Sequence, residues 1–164
     1  MLFETDRLFV RQFTEADLDD LYALSSDPVV MQYNGALLSR DACKTLLQEL
    51  IDGYQQHPHF GRFAVVEKAT QQYVGNYLLR PSSFMGGTET GYAFLQHAWG
   101  RGYATEITIA GLQFAHDKLQ VDMLYAITDK GNSASQKVLL KCGFMQQADF
   151  MDNGNERCLF QIKR

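Results

Sequence analysis

Apolar side chains recur along this chain with two different spacings, which divide it into predicted strands and helices. Residues 7–13, 62–67 and 73–79 carry alternating or short continuous apolar runs, and such runs are typical of strands. After Thr14 and again after Ser39, apolar residues recur every three or four positions. This spacing predicts two helices, each capped by one of these hydroxyl side chains.

The second half of the chain alternates strands with helices. A broad apolar face around Ile107 and Leu112 predicts a long helix, and a shorter helix is expected at 133–141. Strand patterns flank these helices at residues 89–95, 123–128, 144–150 and 157–162. A strand, a helix and a strand in that order form a crossover between parallel neighbours. We therefore expect the first two of these strands to be parallel, in a sheet that can otherwise be antiparallel.

Length and composition are typical of one globular domain. The chain has 164 residues, of which 46% are hydrophobic and 21% are charged. No apolar run approaches the roughly 20 residues that span a bilayer. The first residues do not resemble a signal peptide, since charged and apolar side chains alternate there. We expect a single domain over residues 1–164, located in the cytoplasm and without a membrane role.

Charge and metal-ligand spacing exclude two further classes of function. The formal net charge of −4 and the lack of Lys and Arg clusters disfavour DNA binding and make a basic partner more plausible. The four histidines form no metal-binding pattern, so no metal site is predicted. Three widely spaced cysteines do not suggest a disulfide framework, and each is expected to be a small buried apolar residue: Cys43, Cys142 and Cys158. An exposed strand edge could pair with a second copy or stay unpaired, which leaves the oligomeric state open.

Two glycines, Gly100 and Gly102, stand directly before the long predicted helix. The first backbone N–H groups of a helix have no partner within it, and its end carries roughly half a positive charge. A phosphate therefore fits this place. Two familiar phosphate loops do not match, because a Walker loop requires Lys where Tyr103 stands and the dinucleotide fingerprint requires a glycine where Thr105 stands.

Residues 99–106 resemble the acyl-CoA pyrophosphate loop of the GNAT superfamily of N-acetyltransferases. That loop has the pattern Gln/Arg-x-x-Gly-x-Gly/Ala; Gly102 and Ala104 match its last two positions, and Trp99 replaces the Gln or Arg. The sequence Trp-Gly-x-Gly-Tyr-Ala-Thr-Glu is similar to the Rim-type (RimJ/RimL-like) branch, the ribosomal-protein N-terminal acetyltransferases. The resemblance covers nearly the whole chain, because it continues at residues 2–31, 89–92, 132–135 and 141–144.

The resemblance implies an α/β (α+β) fold, with a mixed and mostly antiparallel sheet flanked by about four helices. Its two central parallel strands would splay apart and hold the pantetheine arm of the cosubstrate acetyl-CoA. Arg101 could contact the phosphates or could be an ordinary exposed arginine, and Asn132 could bind the arm or only cap its helix. The resemblance implies these cofactor-binding residues: Phe94, Leu95, Gly100, Arg101, Gly102, Tyr103, Ala104, Thr105 and Asn132.

The implied reaction is attack of a primary amine on the thioester, the amine being a protein N-terminal α-amine or that of a small molecule. At pH 7, deprotonation costs roughly 1.4 kcal/mol for an α-amine and roughly 4.6 kcal/mol for a lysine-like amine. Glu89 is the candidate general base, acting directly or through a water. Alternatively, it is a carboxylate paired with a neighbouring Lys or Arg. Tyr33, Asn34 and the segment 81–88, which includes Phe84 and Met85, are expected to border the acceptor.

The departing thiolate needs less assistance than the amine. Many GNAT enzymes protonate it with a tyrosine on the last helix, where this chain has Leu139. A thiol with a pKa of about 8.5 leaves near neutrality with only about 2 kcal/mol at stake. Ser135 could donate its hydroxyl to the thiolate or could cap its own helix. Because of Leu139, a non-catalytic acyl-CoA-binding or regulatory module remains the alternative.

Overall fold

The computed structural model describes residues 1–82 and 86–163. Within these ranges, the strands are β1 (Phe3–Glu4), β2 (Leu8–Arg11), β3 (Gly61–Glu67), β4 (Tyr73–Ser82), β5 (Gly87–Phe94), β6 (Met123–Asp129), β7 (Met145–Gln146), β8 (Phe150–Asp152) and β9 (Asn155–Lys163). In the same ranges, the helices are α1 (Leu18–Ser25), α2 (Pro28–Met31), α3 (Arg40–Gln56), α4 (Tyr103–Leu119) and α5 (Ser133–Lys141). Phe84 and Met85, expected beside the acceptor, lie outside the described residues.

The sheet is mixed and mostly antiparallel, as predicted. Neighbouring strands follow the order β1, β2, β3, β4, β5, β6, β9 and β7, and β8 pairs with β9. Strands β5 and β6 are parallel, and the other described pairs are antiparallel. Helix α4 connects the two parallel strands. The strand, helix and strand inferred from the apolar pattern therefore form the centre of the fold.

Helix α4 packs against the sheet at a glycine. A Cβ atom at Gly111 would lie 2.2 Å from the Tyr77 hydroxyl of β4, so no side chain fits there. Ile107 and Ala115 of the same helix are fully buried. The ring of Phe3 covers Tyr77 from β1, with 5.2 Å between the ring centroids. This close packing fixes the position of α4. It therefore also fixes the segment with Gly100 and Gly102 at the N-terminus of this helix, which we call the glycine loop.

Two predicted elements differ from those observed. The strand expected at 144–150 is interrupted and forms the short strands β7 and β8 instead. Met145 and Met151 are largely exposed, so the apolar pattern there does not mark a buried face. One more helix is present than the four expected, because Pro28 begins the short helix α2 and the Asp27 carboxylate accepts the Val29 amide at 2.8 Å.

The cysteines are free thiols, and their burial agrees only partly with the sequence prediction. Cys43 and Cys158 are buried. Cys142 is only half-buried, because it follows the last turn of α5, and its Sγ lies 3.8 Å from the Thr105 carbonyl. No helix in the described part of the chain combines the length and the apolar character needed to cross a bilayer.

A buried ion pair joins β2 to the first helical segment. Arg11 Nη1 and Nη2 each donate to one oxygen of Asp17 at 2.7 Å. The Thr14 amide and hydroxyl also donate to this carboxylate, so Thr14 begins a 3₁₀ turn at 15–17 and does not cap α1 directly. Burial alone would raise the pKa of Asp17, but the hydrogen bonds from Arg11 and Thr14 outweigh burial and lower it.

Replacing Asp17 with asparagine is expected to lower the free energy of unfolding by about 2 kcal/mol at pH 7, because it removes the negative charge that pairs with the Arg11 guanidinium. Since the folded-state pKa of Asp17 is lowered, its stabilisation is complete above the ordinary value of 3.8 and is lost as pH falls below that value. Urea unfolding of Asp17→Asn should therefore depend less on pH between pH 5 and 3 than that of the parent. The control is Asp19→Asn, because the Asp19 ion pair with Arg40 is exposed and worth little.

Candidate active site

Strands β5 and β6 separate along their length. Their paired positions lie at the N-terminal ends, where Thr88 is opposite Leu124 and Glu89 is opposite Tyr125. Beyond these positions β5 continues to Phe94 and β6 continues to Asp129, but the two strands no longer pair with each other. The two strands thus form the walls of a gap that opens toward their carboxyl ends. We call this space the splayed gap.

The backbone of β5 presents polar groups to the splayed gap. The Leu95 amide donates to Val74 of β4 at 2.9 Å, so the preceding residue, Phe94, directs its backbone groups to the opposite side. There the Trp99 indole Nε1 donates to the Phe94 carbonyl at 2.7 Å. Trp99 is 49% exposed and lies at the edge of the gap. It therefore anchors the turn between β5 and α4 to the strand.

The glycine loop leads directly from this turn into α4. Gly100 and Gly102 have φ values of 72° and 80°, a backbone region that favours glycine, and Gly102 caps the helix. The first backbone bond of the helix runs from the Glu106 amide to the Gly102 carbonyl at 3.1 Å. The amides before it have no helical partner and suit an anion: Tyr103, Ala104 and Thr105.

Arg7, to which the sequence analysis gave no role, fixes the conformation of this loop. Its Nη1 donates to the Arg101 carbonyl at 3.0 Å, and its Nε donates to Glu106 at 2.7 Å. Burial alone would raise the pKa of Glu106, but hydrogen bonds from Thr5 and Arg7 lower it. No local pattern identifies this contact, because Arg7 precedes the loop by more than ninety residues. Its place in the N-terminal segment of the resemblance was the available signal.

Arg101 is exposed, as one of the two sequence interpretations expected, and it also forms an ion pair with Glu67. Its Nη2 lies 2.6 Å from Glu67 Oε1, and the Tyr103 hydroxyl donates to the same oxygen. The bond from Tyr103, with those from Thr70 and Arg101, lowers the pKa of Glu67. Arg7 and Arg101 each lie 4.7 Å from the centroid of the Tyr103 ring. Two guanidinium groups therefore lie beside the glycine loop, and each is paired with a carboxylate, Arg7 with Glu106 and Arg101 with Glu67.

Glu89 forms the ion pair that sequence reasoning had kept as the alternative to catalysis. It lies directly opposite Arg80 across β4 and β5, and Arg80 Nε and Nη2 both contact Glu89 Oε2 at 2.9 Å. The Glu89 side chain is 14% exposed and that of Arg80 is 57% exposed. The carboxylate lines a cleft of about 380 Å³, which Ile127 and Met151 also border. A carboxylate in such a cleft can accept a proton from a bound amine once Arg80 shifts aside.

Helix α5 follows β6 and extends the β6 wall of the splayed gap. Asn132 Oδ1 accepts the Ser135 amide at 3.1 Å, so Asn132 caps the helix and Ser135 does not. The Ser135 hydroxyl instead lies 3.1 Å from the hydroxyl of Tyr92 on β5. Leu139, at the position of the familiar tyrosine, is buried. No local sequence pattern predicts this contact of Tyr92, because its partner Ser135 is 43 residues away and on another element.

The structure brings most of the predicted site residues together. Phe94, Leu95, the glycine loop, Asn132 and Ser135 surround the open end of the splayed gap, and Glu89 lies at its paired end. Tyr33 lies near the same opening, since a Cβ atom at Gly131 would be 3.1 Å from its ring. The side-chain amide of Asn34, also expected near the acceptor, donates a hydrogen bond from Nδ2 to the Val30 carbonyl at 2.7 Å. Among residues 1–82 and 86–163, no cluster of three His, Cys, Asp or Glu side chains could hold a metal ion.

Comparison with known proteins gives a consistent result. The family profile described as "Acetyltransferase (GNAT) domain" matches residues 7–145. The uncharacterized N-acetyltransferase YoaA of Bacillus subtilis is 26% identical over 89% of this chain and 84% of its own. The uncharacterized protein YkkB of the same organism is 30% identical over 85% of this chain and 82% of its own.

The fold is also that of a solved acetyltransferase structure. The crystal structure of a GNAT-family acetyltransferase from Bacillus anthracis superimposes with a TM-score of 0.85 at 18% identity, covering 98% of this chain and 96% of that one. The family match begins just before β2 and includes the splayed gap and the glycine loop. This chain therefore belongs to the GNAT family of acetyltransferases.

Proposed function

We propose that this acetyltransferase transfers the acetyl group of acetyl-CoA to a primary amine, either a protein N-terminal α-amine or the amine of a small molecule. The splayed gap ending at the glycine loop carries the proposal. It provides two unpaired strand edges for an extended pantetheine arm and, at one end, helix amides for a diphosphate. The residues for the cofactor are those expected from sequence, with Arg7 added as the residue that holds the loop.

The acceptor amine would bind in the cleft beside Glu89. The carboxylate lies at the end where β5 and β6 are still paired, next to where the acetyl group would lie. The amine must attack in its neutral form, and a carboxylate that accepts the nitrogen's proton as the bond to the carbonyl carbon forms lowers the barrier by general base catalysis. Glu89 is therefore proposed as the base, with Arg80 as the group it releases when substrate binds.

Two structural neighbours illustrate the two acceptor classes. The ribosomal L7/L12 alpha-N-protein acetyltransferase RimL, in complex with coenzyme A, superimposes on this chain with a TM-score of 0.83 at 13% identity. A spermidine N-acetyltransferase from Vibrio cholerae, in complex with CoA and spermine, has a TM-score of 0.75 at 20% identity. The sequence resemblance to the Rim-type branch favours the protein N-terminus, and with it a place in the cytoplasm.

A direct assay tests this function. The protein is incubated with acetyl-CoA and a panel of peptides with different first residues, polyamines and amino acids, while free thiol is followed over time. Release of thiol that depends on one amine, with an acetylated product of matching mass, is the expected result. Tight CoA binding without release across the panel would instead indicate the non-catalytic binding module.

Replacing Gly102 with valine is expected to weaken CoA binding at least about tenfold, because a branched side chain disfavours a positive φ and moves the helix amides. Calorimetric titration with CoA measures this change. The matched control is Gly154→Val in the turn between β8 and β9, where φ is 81° and a Cβ atom meets nothing within 4 Å. An equal loss of CoA affinity in both variants would contradict a specific role of the loop.

A further inference from the structure

A pair of hydroxyl groups links the two walls of the splayed gap. Tyr92 extends from β5, Ser135 belongs to α5, and their oxygen atoms are 3.1 Å apart. Distance alone allows either hydroxyl to donate. Ser135 is the candidate hydrogen-bond donor to the departing thiolate, and Tyr92 is the residue that its hydroxyl contacts.

The surroundings of Tyr92 determine which hydroxyl donates. Burial raises the pKa of Tyr92 to about 12, so its phenol keeps its proton at physiological pH. A phenol is also a stronger donor and a weaker acceptor than an alkyl hydroxyl. Its ring is held against Phe94, with 5.9 Å between the centroids. Tyr92 therefore donates and Ser135 accepts, which directs the Ser135 hydrogen away from Tyr92.

We propose that Tyr92 is a positioning residue, which donates to Ser135 and thereby turns the Ser135 hydrogen toward the sulfur that leaves acetyl-CoA. This inference rests on the proposed function. In the step itself, the amine nitrogen bonds to the carbonyl carbon, the carbon–sulfur bond breaks, and its electron pair remains on sulfur. The Ser135 hydroxyl donates a hydrogen bond to this thiolate, while the amine proton passes to Glu89 or to a water.

Tyr92 and Ser135 both keep their protons in this step. A thiol with a pKa of about 8.5 is a far stronger acid than a phenol buried as Tyr92 is, so proton transfer from the phenol to the thiolate would be uphill. A hydrogen bond to the anionic sulfur is sufficient, since hydrogen bonds to charged groups are the stronger ones. The expected contribution is about tenfold in rate, and it depends on the orientation of Ser135.

The first test needs no turnover. CoA is bound to the protein, and the thiolate absorbance in the ultraviolet is followed against pH. In the parent protein, the pKa of the bound thiol should lie below its free value of about 8.5. Tyr92→Phe and Ser135→Ala should each raise it by about one unit, and the double variant should raise it no further, because the two hydroxyls act as one device.

The second test uses kinetics and a matched control. Tyr92→Phe should lower kcat about tenfold and leave KM for acetyl-CoA within about twofold, and adding Ser135→Ala should cause little further loss. Ser135→Thr, which keeps a hydroxyl, should retain most of kcat. The control is Tyr73→Phe on β4, which removes a buried phenolic hydroxyl from a ring that packs against Phe13. It should change stability but not kcat.

Three results would overturn the inference. They are a pKa of the bound CoA thiol equal to its free value, a parental kcat in Tyr92→Phe, or losses in kcat that multiply in the double variant. If Tyr92→Phe does not fold, Ser135→Ala and Ser135→Thr still test the hydroxyl that Tyr92 is proposed to orient, and equal kcat and equal bound-thiol pKa in these two variants would overturn the inference. Failure of the proposed function looks different, because the parent protein would release no thiol with any amine while the bound thiol could still be titrated.

Discussion

Replacing Glu89 with glutamine lowers kcat about 100-fold at pH 7 if the carboxylate removes the proton of the amine. Glutamine keeps the size of the side chain and still accepts a hydrogen bond from Arg80, so the fold should be unaffected. The loss should be larger for a lysine-like amine, with a pKa of about 10.4, than for an α-amine near 8. Raising the pH to 9 should restore much of the rate with an α-amine, because that amine is then already neutral.

The Arg80 ion pair provides the control for this prediction. Arg80→Gln releases the carboxylate, and since the arginine is 57% exposed the pair should contribute only about 1 kcal/mol or less to stability. If Glu89 is the base, Arg80→Gln retains or increases kcat while Glu89→Gln loses it. If Glu89 only pairs with Arg80, the two variants have similar and small effects, and the base must be another residue. Steady-state kinetics with one peptide and one polyamine separates these outcomes.

The parts of the fold that were predicted from sequence are those whose signal is local. The continuous apolar runs of β3 and β4 each lie within one strand, and the apolar face of α4 repeats along a single helix. The two glycines were identified because they stand directly before the helix and leave its first amides open, and the structure adds that both have a positive φ. These features need no knowledge of distant residues.

The missed features depend on partners that are far apart in the chain. Arg7 reaches the glycine loop only because β1 and β2 pack beside α4, and Tyr92 meets Ser135 only once the splayed gap has formed. Residues 144–150 were predicted as one strand, although they include β7 and the start of β8, because an exposed methionine such as Met145 gives the same apolar signal as a buried residue. The ion pair of Glu89 was foreseen as the alternative to a catalytic role, but its partner Arg80 was not identified, since the cross-strand register of the two residues is not visible in either strand alone.

Replacing Gly75 with alanine is expected to lower the free energy of unfolding by about 3 kcal/mol, which corresponds to roughly 6 to 12 °C in Tm for a chain of this size. A Cβ atom there would lie 2.2 Å from the Ala93 carbonyl and 2.9 Å from the Phe94 Cα. Both are backbone atoms of β5, so no side-chain rotation relieves the overlap. The strand must move, and its end at Phe94 is a wall of the splayed gap.

The same substitution should therefore weaken CoA binding as well as stability. Gly91→Ala is the matched control on β5, since a Cβ atom at that position finds Leu78 at 3.8 Å, an ordinary contact. This variant should stay within about 0.5 kcal/mol of the parent, because it fills open space without overlap. Thermal unfolding and CoA titration of both variants measure the two effects. Parental stability and CoA affinity in Gly75→Ala would show that β4 and β5 are not packed this closely, and the geometry of the gap would then have to be revised.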